Sequence, residues 1–159
     1  MTEKFTLFWS GPFSNWEPSP FVLDKVKYGC AEQYFMAEKA RLFNDAESER
    51  LIMATNEPGV QKKLGRKVKG FDLVRWHSVA RGVMFRASMA KYTQNPDLLT
   101  ALLATAGTTL VEASPYDTIW GIGLAADDPR ARSRSTWLGK NWLGETLTKV
   151  RDQLMKEGA

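Results

Sequence analysis

A series of helix-forming segments between residues 31 and 105 constrains the fold of this chain most strongly. Segments typical of helices alternate there with residues that begin or end them. The predicted helices cover residues 31–43, 45–55, 74–93 and 97–105, with a short turn from Pro58 to Gly65. We therefore expect helices to dominate the fold.

Asparagines mark several of the predicted helix boundaries. Asn44 is expected to cap the second helix, and Asn95 the helix that begins at residue 97. Asn141 is expected to cap a last helix that ends near Lys156. The apolar positions of this last helix, which repeat at helical spacing and should dock against other elements, are Leu143, Leu147, Val150 and Leu154.

Three stretches outside the helices have the pattern of strands. "KFTLFWS" alternates so that Phe5, Leu7 and Trp9 share one face. "FVLDKVKY" predicts a hairpin that turns near Asp24 and Lys25, and "TTLVEAS" predicts a further strand.

The length and composition fit one globular domain over residues 1–159. Hydrophobic residues make up 43% of the chain and charged residues 25%, which is typical of a folded protein rather than a disordered one. The expected fold is a helix-rich α+β domain with a small, largely antiparallel sheet.

The sequence lacks the patterns of secretion and membrane insertion. Its N-terminus has no basic segment followed by a long apolar run, and no stretch approaches the ~18 apolar residues of a membrane span. The single cysteine, Cys30, cannot form an internal disulfide, which suits a reducing compartment. We expect a cytoplasmic protein without a membrane partner.

Basic residues gather in two runs, "QKKLGRKVKG" and "PRARSRSTWLGK", and the net charge is +4. Such runs favour anionic partners, but they also occur on surfaces that only interact with water, and the charge alone leaves both interpretations open.

The first predicted helix carries two charged residues within an apolar face. At helical spacing this face contains Glu32, Phe35, Met36, Lys39 and Phe43. Two helical turns separate the backbones of Glu32 and Lys39 by roughly 10 Å. The two residues form either a structural ion pair or part of a site in which a ligand fills the gap.

The stretch "SPYDTIWGIG" places Asp117 three residues before Trp120, and Gly121 and Gly123 follow. This pattern fits a tight turn with an aromatic residue in the core. It also fits the floor of a site, where glycines let the backbone approach a flat ligand closely.

Several chemistries lack the residues that they need. His77 and Cys30 are the single histidine and the single cysteine, so no set of zinc ligands is present. The glycines at 121 and 123 are not followed by the rest of a dinucleotide-binding fingerprint. Carboxylates, Lys39 and six tryptophans remain. This combination favours cleavage of a sugar C–N bond, because aromatic rings hold a base while a carboxylate stabilises the sugar cation or activates water.

The order of several motifs resembles the NADAR, or YbiA-like, family. The matching stretches are "FSNWEPSPF" (13–21), "AEQYFMAEKA" (31–40), "KKLGRKV" (62–68), "RWHSVARGVM" (75–84), "LLATAGTTLVEASPYDTIWGIGL" (102–124) and "WLGKNWLGETLTKVR" (137–151). The resemblance covers nearly the whole chain and implies an N-glycosidase that needs neither metal nor cofactor. Members of the family remove ADP-ribose from guanine in DNA or RNA, or act on early phosphorylated intermediates of riboflavin biosynthesis.

The resemblance also implies roles for individual residues. Glu32 matches the leading catalytic carboxylate, Lys39 matches a family lysine, and Asp117 is the second catalytic carboxylate. Trp76 and Trp120 match aromatic residues that bind substrate. The positions expected to shape the substrate cleft are Ser14, Asn15, Gly121, Gly123, Gly139, Asn141 and Gly144.

Two reaction routes follow from this assignment. In the first, Glu32 activates water against the anomeric carbon, and Asp117 orients the ribose or assists the leaving nitrogen. In the second, Lys39 captures the opened sugar as a Schiff base that water later releases. A non-catalytic module that binds ADP-ribose or a related nucleotide is the alternative from another class.

ADP-ribosylated nucleic acid is the preferred partner, because the two basic runs suit a polyphosphate ligand. A phosphorylated nucleoside-like small molecule is the other expected substrate. An ADP-ribosyltransferase toxin is a possible protein partner on the resemblance alone.

Overall fold

The computed structural model describes residues 2–159, which form two compact units. The discontinuous unit combines the segment up to Ser14 with Asp97–Ala159, and the continuous unit spans Asn15–Pro96. In chain order the elements are β1 (Phe5–Phe8), β2 (Phe21–Leu23), β3 (Val26–Tyr28), α1 (Ala31–Leu42), α2 (Ala46–Met53), α3 (Pro58–Arg66), α4 (Leu73–Gln94), α5 (Pro96–Leu103), β4 (Thr109–Glu112) and α6 (Trp142–Lys156). The single domain expected over residues 1–159 stays a prediction.

The continuous unit is organised around α1. This helix packs against α2, α3 and α4, and its residues 31–37 are all buried. A helix that other elements cover on most sides usually has few charged residues, because burying a charge is costly. The charged residues of α1 therefore require a separate explanation. Within residues 2–159, every helix is too short or too polar to span a lipid bilayer.

Two predicted helix boundaries in the continuous unit are wrong. Asn44 does not cap α2; it has a φ of 56°, and Asp45 is the N-cap, with a carboxylate that accepts a backbone N–H of the first turn. Residues Pro58–Arg66 form a helix rather than a turn ended by Gly65. Gly65 therefore does not end the helix; it lies inside it, where a Cβ would collide with the Met36 side chain of α1.

The sheets differ in part from the prediction. β2 and β3 form the expected antiparallel hairpin, in which Asp24 and Lys25 have positive φ values of 52° and 68°, as the turn between two tightly joined strands requires. β1 and β4, however, pair in parallel, with Phe5 opposite Thr109. The described strands therefore form one parallel and one antiparallel pair, and the prediction of a largely antiparallel sheet is wrong.

In the discontinuous unit, β4 packs against β1 and α6 and contributes to the core. Phe5 and Leu7 of β1 pack against a buried cluster that includes Val111 and Ile122. Trp9, which was expected on the same face, lies beyond the end of β1 and is 55% exposed. The apolar positions of α6 that are buried as predicted are Leu143, Leu147, Val150 and Leu154.

Candidate active site

Glu32 lies in the first turn of α1, and only 7% of its surface is exposed. Its backbone N–H donates a hydrogen bond of 3.0 Å to the carbonyl of Asn15, which holds the loop before β2 against the start of α1. The N-terminal end of a helix has a partial positive charge that stabilises a nearby carboxylate. The position therefore suits a carboxylate that exchanges a proton away from bulk water.

Lys39 lies two turns along α1 from Glu32 and is half-buried. Its Nζ atom is 4.5 Å from the centre of the Phe71 ring. Burial lowers the pKa of Lys39 below its usual value, and the positive charge of Arg66 lowers it further, whereas the charge of Glu32 raises it. The net lowering increases the fraction of neutral amine, which is the form that attacks a carbonyl carbon.

An apolar wall stands beside the two charged residues. Phe35 lies on the same face of α1, and its ring centre is 4.9 Å from that of Trp76 on α4, at an interplanar angle of 45°. Trp76 is 5% exposed, so most of its ring packs within the continuous unit. Low polarity on this side strengthens the electrostatic interaction between Glu32 and Lys39.

Arg66 and Phe71, which were not predicted as site residues, also lie next to Lys39. Phe71 is 42% exposed and contacts both Lys39 and the Phe43 ring, whose centre is 5.5 Å from its own. Arg66 is close enough for its charge to act on Lys39. The signal was present in "GRKVKGF", where an aromatic residue follows a basic run.

Lys91 of α4 was also missed. It is 1% exposed, and burial lowers its pKa to about 8, although the negative charge of Glu17 acts to raise it. The signal was its place on the buried face of α4, four residues after Ala87. Such a lysine fits a structural role in the continuous unit.

In the discontinuous unit, Asp117 organises the turn that carries Trp120. Its Oδ1 atom accepts hydrogen bonds from the backbone N–H groups of Ile119 at 2.9 Å and Trp120 at 2.8 Å. Trp120 is half-buried, and its ring meets that of Trp142 edge to face, with centres 5.5 Å apart. The Asp117 carboxylate therefore stabilises a tight turn, which is one of the two interpretations of "SPYDTIWGIG". The catalytic role of Asp117 stays a prediction.

The glycines of the predicted cleft are required by close backbone packing. A Cβ on Gly121 would lie 2.9 Å from the carbonyl oxygen of Asp117, and one on Gly139 would lie 2.8 Å from the Cα of Thr118. Gly123 has a φ of 73°. These contacts explain the glycines without a ligand, and their expected role in substrate binding stays a prediction.

Asn141 occupies the position before α6 but does not cap it through its side chain. The side chain is fully buried; its Oδ1 accepts from the Glu112 N–H at 2.9 Å, and its Nδ2 donates to the Leu110 carbonyl at 3.0 Å. Asn141 is thus the N-cap residue of α6, as predicted, but its side chain bonds to these two groups of β4 rather than to the helix. Gly144, one turn later, has no room for a Cβ against the Leu110 carbonyl.

The predicted site residues therefore form two sets. Asn15, Glu32, Lys39 and Trp76 lie together in the continuous unit, around the first two turns of α1. The set in the discontinuous unit contains Ser14, Asp117, Trp120, Gly121, Gly123, Gly139 and Asn141. Their action on a single substrate, which the family resemblance implies, stays a prediction.

A groove of about 680 Å³ lies elsewhere in the continuous unit. Its walls include Trp16, Tyr28, Cys30, Gln33 and Pro58, whereas Glu32 and Lys39 do not line it. The acid, the amine and the aromatic wall described above are therefore on the α1 face and not in this groove, and their part in the reaction stays a prediction.

Residues 2–159 contain no group of three or more histidine, cysteine, aspartate or glutamate side chains placed to hold a metal ion. A reaction without metal or cofactor stays a prediction.

Comparison with known proteins identifies relatives along nearly the whole chain. N-glycosidase R617 of Acanthamoeba polyphaga mimivirus is 40% identical, over 89% of this chain and 86% of its own. The maize chloroplast riboflavin biosynthesis protein PYRR is 31% identical over 91% of this chain, which matches 23% of PYRR. The solution NMR structure of the Escherichia coli protein YbiA is similar with a TM-score of 0.80 and 32% identity, covering 99% of this chain and 89% of YbiA.

The sequence model of the NADAR domain matches residues 6–155. This span contains both sets of predicted site residues. The protein belongs to the NADAR family.

Proposed function

We propose that this protein is an N-glycosidase that removes ADP-ribose from guanine in DNA or RNA. The activity class, hydrolysis of an N-glycosyl bond, is shown by relatives named N-glycosidase that match about nine-tenths of the chain. A purely non-catalytic binding module is thereby set aside. The choice of substrate and the residue roles are proposals.

The observation that carries the mechanism is the pairing of Glu32 with Lys39 on one face of α1. A nearly buried carboxylate and an amine of lowered pKa lie within electrostatic range of each other, next to the Phe35 and Trp76 rings. Lowering the pKa of the amine increases the neutral fraction that can act as a nucleophile, and a sheltered carboxylate can move the proton.

The lysine route accounts for both residues. The lone pair of the Lys39 amine forms a bond to the anomeric carbon, and the bond between this carbon and the guanine nitrogen breaks. Glu32 takes the proton that the amine loses and returns it to the leaving guanine. The nitrogen lone pair then forms a C=N bond as the bond between the anomeric carbon and the ring oxygen breaks, and the ring oxygen takes a proton from water. Water adds to the carbon of this Schiff base, the bond to the Lys39 nitrogen breaks, and the released ADP-ribose closes its ring again.

Asp117 supports this proposal in a positioning role. Its carboxylate holds the backbone of the turn at Trp120, and an indole held in this way can stack on a base. The family resemblance adds a contact with the ribose or with the leaving nitrogen. A paired ADP-ribosyltransferase toxin, whose product this enzyme would remove, is proposed on the resemblance alone.

A phosphorylated intermediate of riboflavin biosynthesis is the second candidate substrate. It is favoured by the similarity to maize PYRR, whose name places that protein in riboflavin biosynthesis. The same Glu32 and Lys39 chemistry would apply, since the intermediate also joins a ribose carbon to a nitrogen.

Parallel assays of the two substrates test the proposal. The protein is incubated with an oligonucleotide carrying ADP-ribosylated guanine and, separately, with the phosphorylated riboflavin intermediates, and the products are identified by mass spectrometry. We expect free ADP-ribose from the oligonucleotide. Release of ribose 5-phosphate from the intermediates, with an intact oligonucleotide, would assign the protein to riboflavin metabolism instead.

A further inference from the structure

We propose that an exposed surface next to Lys39, formed by Lys63, Arg66, Lys67, Phe71 and Arg75, binds the nucleic-acid strand that flanks the modified base. We call this surface the basic face. It lies on the end of α3 and the start of α4, in the continuous unit. The inference rests on the proposed function and deepens it, because it concerns how the strand is held rather than how the bond is broken.

Helical geometry places three of these cations together. Gln61 and Gly65 are buried and define the inner side of α3. Lys63, Arg66 and Lys67 are exposed and lie on the opposite side, three and four residues apart. Like charges at these spacings repel one another, and the negative end of the helix dipole offsets part of this repulsion.

No carboxylate relieves this repulsion. Among the ion pairs in residues 2–159, none involves Lys63, Arg66 or Lys67. Three exposed arginines elsewhere, Arg50, Arg130 and Arg134, do contact a carboxylate within 3 Å. Bound phosphates would offset the repulsion on the basic face.

An exposed aromatic ring lies at the end of this row. Phe71 is 42% exposed, and on its inner side it contacts Phe43. The guanidinium of Arg75 lies 5.7 Å from the centre of the Phe43 ring. Cations that follow a phosphate backbone, with an aromatic ring on which a base stacks, are the usual means of binding a single strand.

The basic face adjoins the proposed reaction site. The Phe71 ring contacts the Lys39 amine, and the charge of Arg66 acts on the same amine. A strand bound along Lys63 and Lys67 would thus run next to the nucleophile. A small substrate with one phosphate needs only one or two cations, so a row of this length indicates a polyanion.

Binding of an unmodified single-stranded oligonucleotide tests the inference without any turnover. We expect Lys63→Gln/Lys67→Gln to weaken binding roughly 10-fold or more at low salt and to reduce the slope of log K against log [salt] by about 1.4, since each lost contact contributes about 0.7. Fluorescence anisotropy over a salt series measures both. The matched control, Lys149→Gln/Lys156→Gln, removes two exposed cations from α6 and should bind as the wild type does.

The inference is overturned if Lys63→Gln/Lys67→Gln binds the oligonucleotide like the wild type, or if the control pair loses as much affinity. It is also overturned if the variant loses affinity only for anionic phosphatidylserine vesicles, which would make the face a membrane contact.

Turnover separates this inference from the proposed function. The ratio of kcat/KM for an ADP-ribosylated oligonucleotide to that for ADP-ribosylated guanosine should fall in Lys63→Gln/Lys67→Gln, through KM of the oligonucleotide. A wild type that cleaves neither substrate refutes the proposed function, while the anisotropy result still decides the role of the basic face.

Discussion

At the scale of single residues, the account depends on the charge around the Lys39 amine. Arg66 lowers the pKa of Lys39 and Glu32 raises it. Because the neutral amine is the reactive form, Arg66→Gln should raise this pKa, move the alkaline rise of kcat to higher pH and reduce kcat near neutral pH. The profile of kcat against pH measures the shift, and Arg132→Gln, an equal loss of charge at an exposed site, is the control. If the profile of kcat against pH is unchanged in Arg66→Gln, Arg66 does not influence the pKa of Lys39.

Asp117 allows its structural and chemical roles to be distinguished. Asp117→Asn keeps an Oδ1 acceptor for the two backbone N–H groups, so stability should stay close to that of the wild type. Asp117→Ala removes the acceptor, and the loss should resemble that of a helix cap, about 0.5–2 kcal/mol. Urea unfolding compares the two variants. If Asp117→Asn is as unstable as Asp117→Ala, the charge rather than the acceptor geometry holds the turn.

Residue-level prediction succeeded where helical spacing was sufficient. The spacing of Glu32, Phe35 and Lys39 placed them on one face of α1. In the structure, the charge of Glu32 raises the pKa of Lys39. Arg66 and Phe71 were missed because contacts between α1 and the α3–α4 connection join residues about thirty positions apart. No periodicity within a single element encodes such a contact.

At the scale of elements, Asn141 joins α6 to β4. Replacing it by alanine leaves the Glu112 N–H and the Leu110 carbonyl without their amide partner. Each buried group left unsatisfied costs about 1–3 kcal/mol, so Asn141→Ala, which affects two groups, should lose roughly 2–6 kcal/mol. Urea unfolding measures this loss, and Gln153→Ala on the exposed side of α6 should change stability little. If Asn141→Ala lowers the free energy of unfolding no more than Gln153→Ala does, the Asn141 side chain does not stabilise the contact between α6 and β4.

The errors at this scale have a common cause. Helix positions and the short hairpin were predicted because they depend on neighbouring residues. The parallel pairing of β1 and β4 joins segments about a hundred residues apart, and only a long connection permits that arrangement. The cap assigned to Asn44 failed for a local reason, since both Asn44 and Asp45 suit the N-cap and only the backbone geometry decides between them.

At the scale of the whole molecule, the proposed reaction makes turnover depend on the carboxylates of Glu32 and Asp117. Glu32→Gln should lower kcat/KM by about 10²–10⁴-fold, the usual effect of losing a catalytic acid or base. A kinetic double-mutant cycle with Asp117→Asn measures the coupling between the two positions. If the double variant loses less kcat/KM, expressed as free energy, than the sum of the two single losses, the two carboxylates act on the same substrate. Full turnover in both single variants would mean that the carboxylates are wrongly assigned.

The most direct test of the central claim is chemical trapping of Lys39. The wild type is incubated with ADP-ribosylated oligonucleotide and sodium borohydride, which reduces a Schiff base to a stable amine, and the protein is analysed by peptide mass spectrometry. We predict an ADP-ribosyl adduct on the peptide that contains Lys39, and its loss in Lys39→Ala but not in Lys149→Ala. Turnover by the wild type without any trapped adduct, or an adduct that persists in Lys39→Ala, would contradict the account.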